Sequence, residues 1–170
     1  TTIHLNQAGA LVHIYTDGSV HLNHGGIEMG QGTHTKIAQL VSKSFGIPYE
    51  KVQISSTNTS KVPNTSASAA SSTTDLNGAA ALDAVKKIKL NLEKFIKNKY
   101  KISVKNNVIY KNEKIFIGKY IFKFNDIVQE AYLNRISLSS NGFYSTPKIN
   151  FNKKKFYGRP FLYFCYGAAV

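Results

Sequence analysis

A chain of 170 residues, 42% hydrophobic and 12% aromatic, has enough apolar material for one cored domain, which excludes wholesale disorder. Its one cysteine, Cys165, excludes an internal disulfide framework and a cysteine-based zinc site, and no apolar run is long enough to span a bilayer. The formal charge is +13, but the lysines are scattered, mostly through residues 86–155, among Asn and Ile. They read as solvated surface rather than as a nucleic-acid site.

In chain order, residues 11–16 read as a strand, Asp17-Gly18 as a two-residue hairpin turn, and residues 19–24 as a second strand. His13 and His21 fall on these strands without a companion at metal-ligand spacing, so they are expected to be surface or packing residues. Next comes the glycine-rich run Gly25-Gly26-Ile27-Glu28-Met29-Gly30-Gln31-Gly32-Thr33. Ile37, Leu40, Val41 and Phe45 then recur at helical spacing until Gly46 and Pro48 stop the pattern. Free N–H groups are expected where this loop becomes the helix, an arrangement suited to a phosphate-like group. The spacing matches neither the dinucleotide-binding G-x-G-x-x-G nor a P-loop. Val52 and Ile54 mark a short strand, which completes a compact α+β unit.

Residues 55–74 are crowded with Ser, Thr, Asn and Ala, a composition open to two readings: a polar linker, or a rigid loop that delivers small side chains to a ligand. The run Ser68-Ala69-Ala70-Ser71-Ser72-Thr73-Thr74-Asp75 leads straight into a long helix whose apolar face carries Leu82, Val85, Ile88, Leu92, Phe95 and Ile96. Ordinary capping explains one or two hydroxyls there, not four. Two helix starts, one after each loop, could therefore converge on one anionic ligand held by neutral donors and helix dipoles, without a lysine. Beyond the lysine-rich tract at 97–105, short strands are expected at 108–110, 115–117 and 120–122. A short helix capped by Asn125 or Asp126 follows, then strands at 136–140 and 161–167. The last strand runs almost to the final residue and implies that the chain stops in mid-sheet.

The motifs Asn6-Gln7-Ala8-Gly9-Ala10, Tyr15-Thr16-Asp17-Gly18-Ser19, His24-Gly25-Gly26, Glu28-Met29-Gly30-Gln31-Gly32, Val62-Pro63-Asn64-Thr65-Ser66, Ala69-Ala70-Ser71, Asp75-Leu76-Asn77-Gly78, Gly142-Phe143-Tyr144 and Tyr166-Gly167, in this order, resemble the molybdenum-cofactor-binding region of the xanthine dehydrogenase and aldehyde oxidase family. The resemblance covers nearly the whole chain and implies α+β architecture, with mixed sheets and packed helices. It further implies that residues 1–170 are an internal fragment of the molybdopterin-binding domain, with no separate domain boundary. In that family a molybdenum centre on a pterin dithiolene hydroxylates a purine or aldehyde carbon with oxygen from water. Electrons leave through iron–sulfur clusters and a flavin (FAD) to NAD, all carried by other domains or subunits.

By that resemblance, Met29, Gly30 and Gln31 contact the pterin. Ala69, Ala70, Ser71, Ser72, Thr73 and Thr74 form a second loop, with the alanines near the metal and the polar atoms on the cofactor's phosphate end. The family's catalytic glutamate sits in a Gly-Glu-Pro-Pro motif that is absent here, and Glu28 does not match its position. No catalytic residue and no protein ligand to a metal are therefore assigned, and the isolated chain is expected to show no turnover. The expected setting is a cytoplasmic, oligomeric enzyme of purine catabolism with a purine substrate and an iron–sulfur/flavin partner, and with neither nucleic acid nor membrane as partner. The alternatives are a basic module for a phosphorylated ligand or nucleic acid, or an inactive remnant.

Overall fold

The computed structural model describes residues 3–61, 64–103 and 105–162. The expected strand at 161–167 lies outside these residues from 163 on, as do Cys165, Tyr166-Gly167, Val62 and Pro63.

The main sheet is built from β1 (Gln7–Ile14), β2 (Val20–His24), β3 (Val52–Ile54) and β7 (Ser139–Ser145), in the order β3-β2-β1-β7. β2 and β3 are parallel; the other pairs are antiparallel. Helix α1 (Thr33–Phe45) makes the crossover that parallel pairing requires. Along β1, half-buried and buried residues alternate, with Ala8, Ala10, Val12 and Ile14 on the buried face. That face is covered by α2 (Thr73–Lys99), whose Leu76, Ala80, Ala84, Ile88, Leu92 and Ile96 are buried, and α1 packs beside it on α2 and β3. The β7–α2 approach is close because both surfaces are small. A Cβ on Gly142 would lie 1.9 Å from the Ala80 carbonyl oxygen and 2.6 Å from the Ala84 nitrogen.

A second sheet, β4 (Val108–Lys111), β5 (Lys114–Ile117) and β6 (Tyr120–Lys123), is antiparallel and leads into α3 (Phe124–Leu133). Phe124 and Phe45 join this unit to α1, their ring centroids 5.8 Å apart. The hairpin β8 (Asn150–Asn152) and β9 (Tyr157–Arg159) closes the described chain. The α+β class stands, with three α-helices and three sheets among the described residues.

Several boundaries differ from expectation, each for a local reason. β1 starts at Gln7, not residue 11, because its first half is built from Ala8, Gly9 and Ala10, sized to pack under α2 rather than to look like a strand. The β1–β2 link is a five-residue loop in place of a two-residue turn. In it Asp17 Oδ1 accepts the Ser19 N–H at 2.9 Å, and the Tyr15 N–H donates to the Ser19 carbonyl at 2.9 Å. α3 begins at Phe124, which takes Asn125 and Asp126 inside the helix, and its first residue is anchored through its N–H to the Glu113 carbonyl at 2.8 Å. β7 occupies 139–145 instead of 136–140, because residues 139–145 pair with residues 7–13 of β1. The β8–β9 hairpin lies where a basic loop was expected.

Candidate functional site

Two loops meet at the ends of α1 and α2. The first runs from His24 to Gly32. His24 is fully buried, and its Nδ1 accepts the Gly26 N–H at 3.1 Å. Burial, aided by the nearby His34, pushes its pKa down to about 4 against a weaker opposing pull from Glu28. A neutral imidazole that accepts at Nδ1 carries its proton on Nε2, and that Nε2 finds no partner among the described residues. Gly25 donates its N–H to Asn77 Oδ1 at 3.1 Å, which fastens the loop to α2. No side chain would fit here: a Cβ on Gly25 would lie 2.3 Å from Thr65 Oγ1, and one on Gly26 2.8 Å from Thr73 Cγ2.

The tip of this loop satisfies itself. Glu28 Oε1 accepts the N–H groups of Gly30 and Gly32 at 2.8 and 3.0 Å, while Oε2 accepts that of His34 at 2.9 Å. The His34 N–H, then those of Gly32 and Gly30, hold the Glu28 carboxyl down at about 2. Gln31 braces the same turn: Oε1 accepts the Met29 N–H at 2.6 Å and Nε2 donates to the Ile27 carbonyl at 2.8 Å. The expectation of free N–H groups at the start of α1 is corrected. The chain's own carboxylate, four residues before the Gly32 N-cap, already occupies that helix end.

The second loop is tied to β1 at Ser66, whose N–H donates to the Gln7 carbonyl at 2.9 Å and whose Oγ accepts the Gln7 N–H at 3.1 Å. Ser68 Oγ accepts the Ile27 N–H at 2.9 Å, a direct bond between the two loops. Ala70 and Ser71 then take positive φ, 55° and 56°. Non-glycine residues adopt this conformation at a cost of about 1–3 kcal/mol each, typically at ligand clamps. The strain turns the chain sharply into α2. Ser72, the N-cap, is buried with its Oγ donating back to the Ala69 carbonyl at 3.0 Å, so it does not cap the helix. No side-chain oxygen among the described residues takes the first-turn N–H groups of α2.

Between the loops lies a cavity of about 380 Å³, lined by Met29, Gln31, Thr33, Lys36, Ser68, Ala69, Ala70, Ser71, Thr73 and Thr74. Seven of the nine residues singled out from sequence therefore share one cavity. The other two do not line it: Gly30 lies at the exposed tip and Ser72 is turned inward. Thr73 and Thr74 belong to the helix rather than to the loop before it. The sequence reading did not assign Thr33, Lys36 or Ser68. Lys36 is the consequential omission, because its Nζ donates to the Gln31 carbonyl at 3.0 Å and places a cation in a site expected to need none. Its position one turn into α1 was the available signal. Thr33 is 1% exposed, and its Oγ1 has no partner among the described residues.

The donor set suits an anion with a polar body. A helix start without a side-chain cap among the described residues, the five hydroxyl residues Thr33, Ser68, Ser71, Thr73 and Thr74, and one ammonium surround a volume kept open by two alanines. The buried Thr33 hydroxyl, without a partner among the described residues, lies in the same lining. Among the described residues, no group of three or more His, Cys, Asp or Glu is placed to hold a metal ion.

A family profile described as "Molybdopterin cofactor-binding domain" matches residues 1–170. The chain is 46% identical over 169 residues to a xanthine dehydrogenase of Oryza sativa subsp. japonica, covering 99% of this chain and 11% of that protein. It is 47% identical over 165 residues to a xanthine dehydrogenase/oxidase of Felis catus, again covering 11% of the relative. The chain thus spans about a tenth of the length of these curated relatives. Among solved structures, a Cu,Mo-CO dehydrogenase superposes with TM-score 0.75 at 21% identity, covering 84% of this chain and 19% of the other. Quinoline 2-oxidoreductase from Pseudomonas putida 86 superposes with TM-score 0.75 at 18% identity, covering 83% of this chain and 19% of the other. At these identities the two structures speak for the fold alone.

Proposed function

This chain belongs to the family of molybdopterin cofactor-binding domains, and from that premise we propose that the cavity between its two loops receives the phosphate end of molybdopterin. The convergence of the loops on one cavity, with the α2 start uncapped, carries the reading. The N–H groups of the first turn of α2 and the Ser71 and Thr74 hydroxyls receive the phosphate oxygens, and the Lys36 ammonium adds charge neutralisation. Ala69 and Ala70 leave room for the pterin. Met29 and Gln31 close the opposite wall, held there by the Glu28 brace. When bound, the cofactor supplies the oxidation–reduction and oxygen-transfer chemistry. The chain's own residues bind and orient it.

On this reading residues 1–170 form one stretch of a longer molybdenum hydroxylase without an internal domain boundary. That enzyme is cytoplasmic and oligomeric, hydroxylates xanthine or hypoxanthine, and passes electrons through iron–sulfur and flavin partners to NAD. The names of the 42–47% identical relatives support the purine substrate. Glu28 takes no part in acid–base work: a carboxylate held at about 2 by three N–H donors is a poor proton acceptor near neutrality. The base comes from residues outside this chain. The test is the pterin content of the full-length enzyme carrying Ser71→Ala with Thr74→Ala. Loss of pterin with iron and flavin content unchanged supports the reading; full pterin occupancy contradicts it.

A further inference from the structure

The outer face of the β4-β5-β6 sheet carries an arrangement that the cofactor reading does not use. Register places Ile109 opposite Phe116 and Phe116 opposite Ile121, and it places Lys111 opposite Lys114 and Lys114 opposite Lys123. Residues two apart on a strand share a face, so both rows lie side by side on one surface. The inner row, Tyr110, Ile115 and Phe122, faces the core. On the outer face Ile109 is 58% and Ile121 62% exposed, and all three lysines are exposed. Like charges directly opposite one another on a sheet are unfavourable. None of these lysines has an ion-pair partner among the described residues, the nearby Glu113 being engaged with Lys51.

The surface is also concave on one side. A groove of about 630 Å³ runs between the end of α1 and β4, with Ile47, Pro48 and Ile109 among its walls and Lys43, Lys111 and the Lys51-paired Glu113 beside them. We propose that this face docks an acidic protein surface with an apolar centre, supplied by a part of the longer enzyme outside residues 1–170. The inference rests on the reading of the chain as one stretch of such an enzyme, but not on its cofactor loops. The lysine row asks for carboxylates, and the apolar row and groove ask for aliphatic or aromatic side chains between them. A second copy of this chain fits poorly, because two faces of the same positive sign would meet in a chain already at +13. A nucleic-acid backbone leaves the apolar row unused. A flat anionic bilayer leaves the groove empty.

The experiment is carbodiimide cross-linking of the full-length enzyme, read by mass spectrometry and preceded by an intact-mass measurement that establishes the longer chain. The expected result is zero-length cross-links from Lys111, Lys114 or Lys123 to Asp or Glu residues outside 1–170. They should be lost in Ile109→Ser with Ile121→Ser, two exposed positions whose change leaves the core and the pterin content alone. Absence of such cross-links, with the three lysines acetylated as fast as Lys153 and Lys154, overturns the proposal. Retention of the enzyme on phosphatidylserine vesicles that Lys111→Glu with Lys114→Glu and Lys123→Glu abolishes overturns it in favour of a membrane. Loss of cross-links leaves the pterin test above unaffected, so the two readings fail separately.

Discussion

The starts of α1 and α2 lie on the same cavity and follow loops of similar polarity, yet they end up in opposite states. At α1 a carboxylate from the chain itself, Glu28, accepts the N–H groups of Gly30, Gly32 and His34. At α2 the N-cap serine turns its hydroxyl away to Ala69, and the first turn has no side-chain acceptor among the described residues. A helix start is an anion site only when the protein has not already filled it. On the proposed reading one start serves as a rigid wall and the other as the receptor, and the glycines at the base of the first loop let the two loops touch.

The largest effect expected from breaking this arrangement lies beneath it, at His24. Its pKa is depressed from 6.5 to about 4 by burial. The unfolded chain therefore takes the proton first, and stability falls as pH drops from about 6.5 toward 4, by up to about 3 kcal/mol. Urea melts across that window check it, and His24→Gln should flatten the slope. Next, Gly26→Val forces a side chain against Thr73 and Asn77 and should cost about 1–3 kcal/mol in the same melts, separating the loops.

Glu28→Gln sharpens the comparison from the α1 side. The carboxyl is depressed from 4.5 to about 2, so its contribution is present above 4.5 and lost as pH falls toward 2. The variant should lose that part of the acid limb in a melt at low ionic strength. The smallest effect has the opposite sign. Ser71→Asp puts a negative charge beside the open α2 start and should raise stability by about 0.3–1 kcal/mol, while a phosphate-bearing ligand is turned away.

Much of this was legible in the sequence where one element suffices to make the pattern. Val41 and Phe45 mark the buried face of α1, and Val85, Ile88, Leu92 and Ile96 that of α2. Leu40, expected on the same α1 face, is instead 37% exposed at the crossing with Gly78 of α2, a consequence of helix pairing that periodicity does not carry. The first half of β1 was hidden because alanine and glycine, chosen for close packing under α2, give no alternation to read. At the site, the residue types of both loops were visible, and so was their joint suitability for an anion. The role of Glu28 was not, because its partners are backbone N–H groups brought round by a turn. Lys36 was passed over because a lysine on a helix is ordinary until a cavity is seen beside it.

The difference between the two helix starts can be read directly from backbone amides. In the ¹⁵N-labelled 170-residue chain, titration with a simple phosphate monoester should shift the amide signals of Thr73, Thr74 and Asp75 and leave those of Thr33, His34 and Thr35 in place. Movement at α1 with none at α2 would contradict the assignment of the open start as the phosphate receptor.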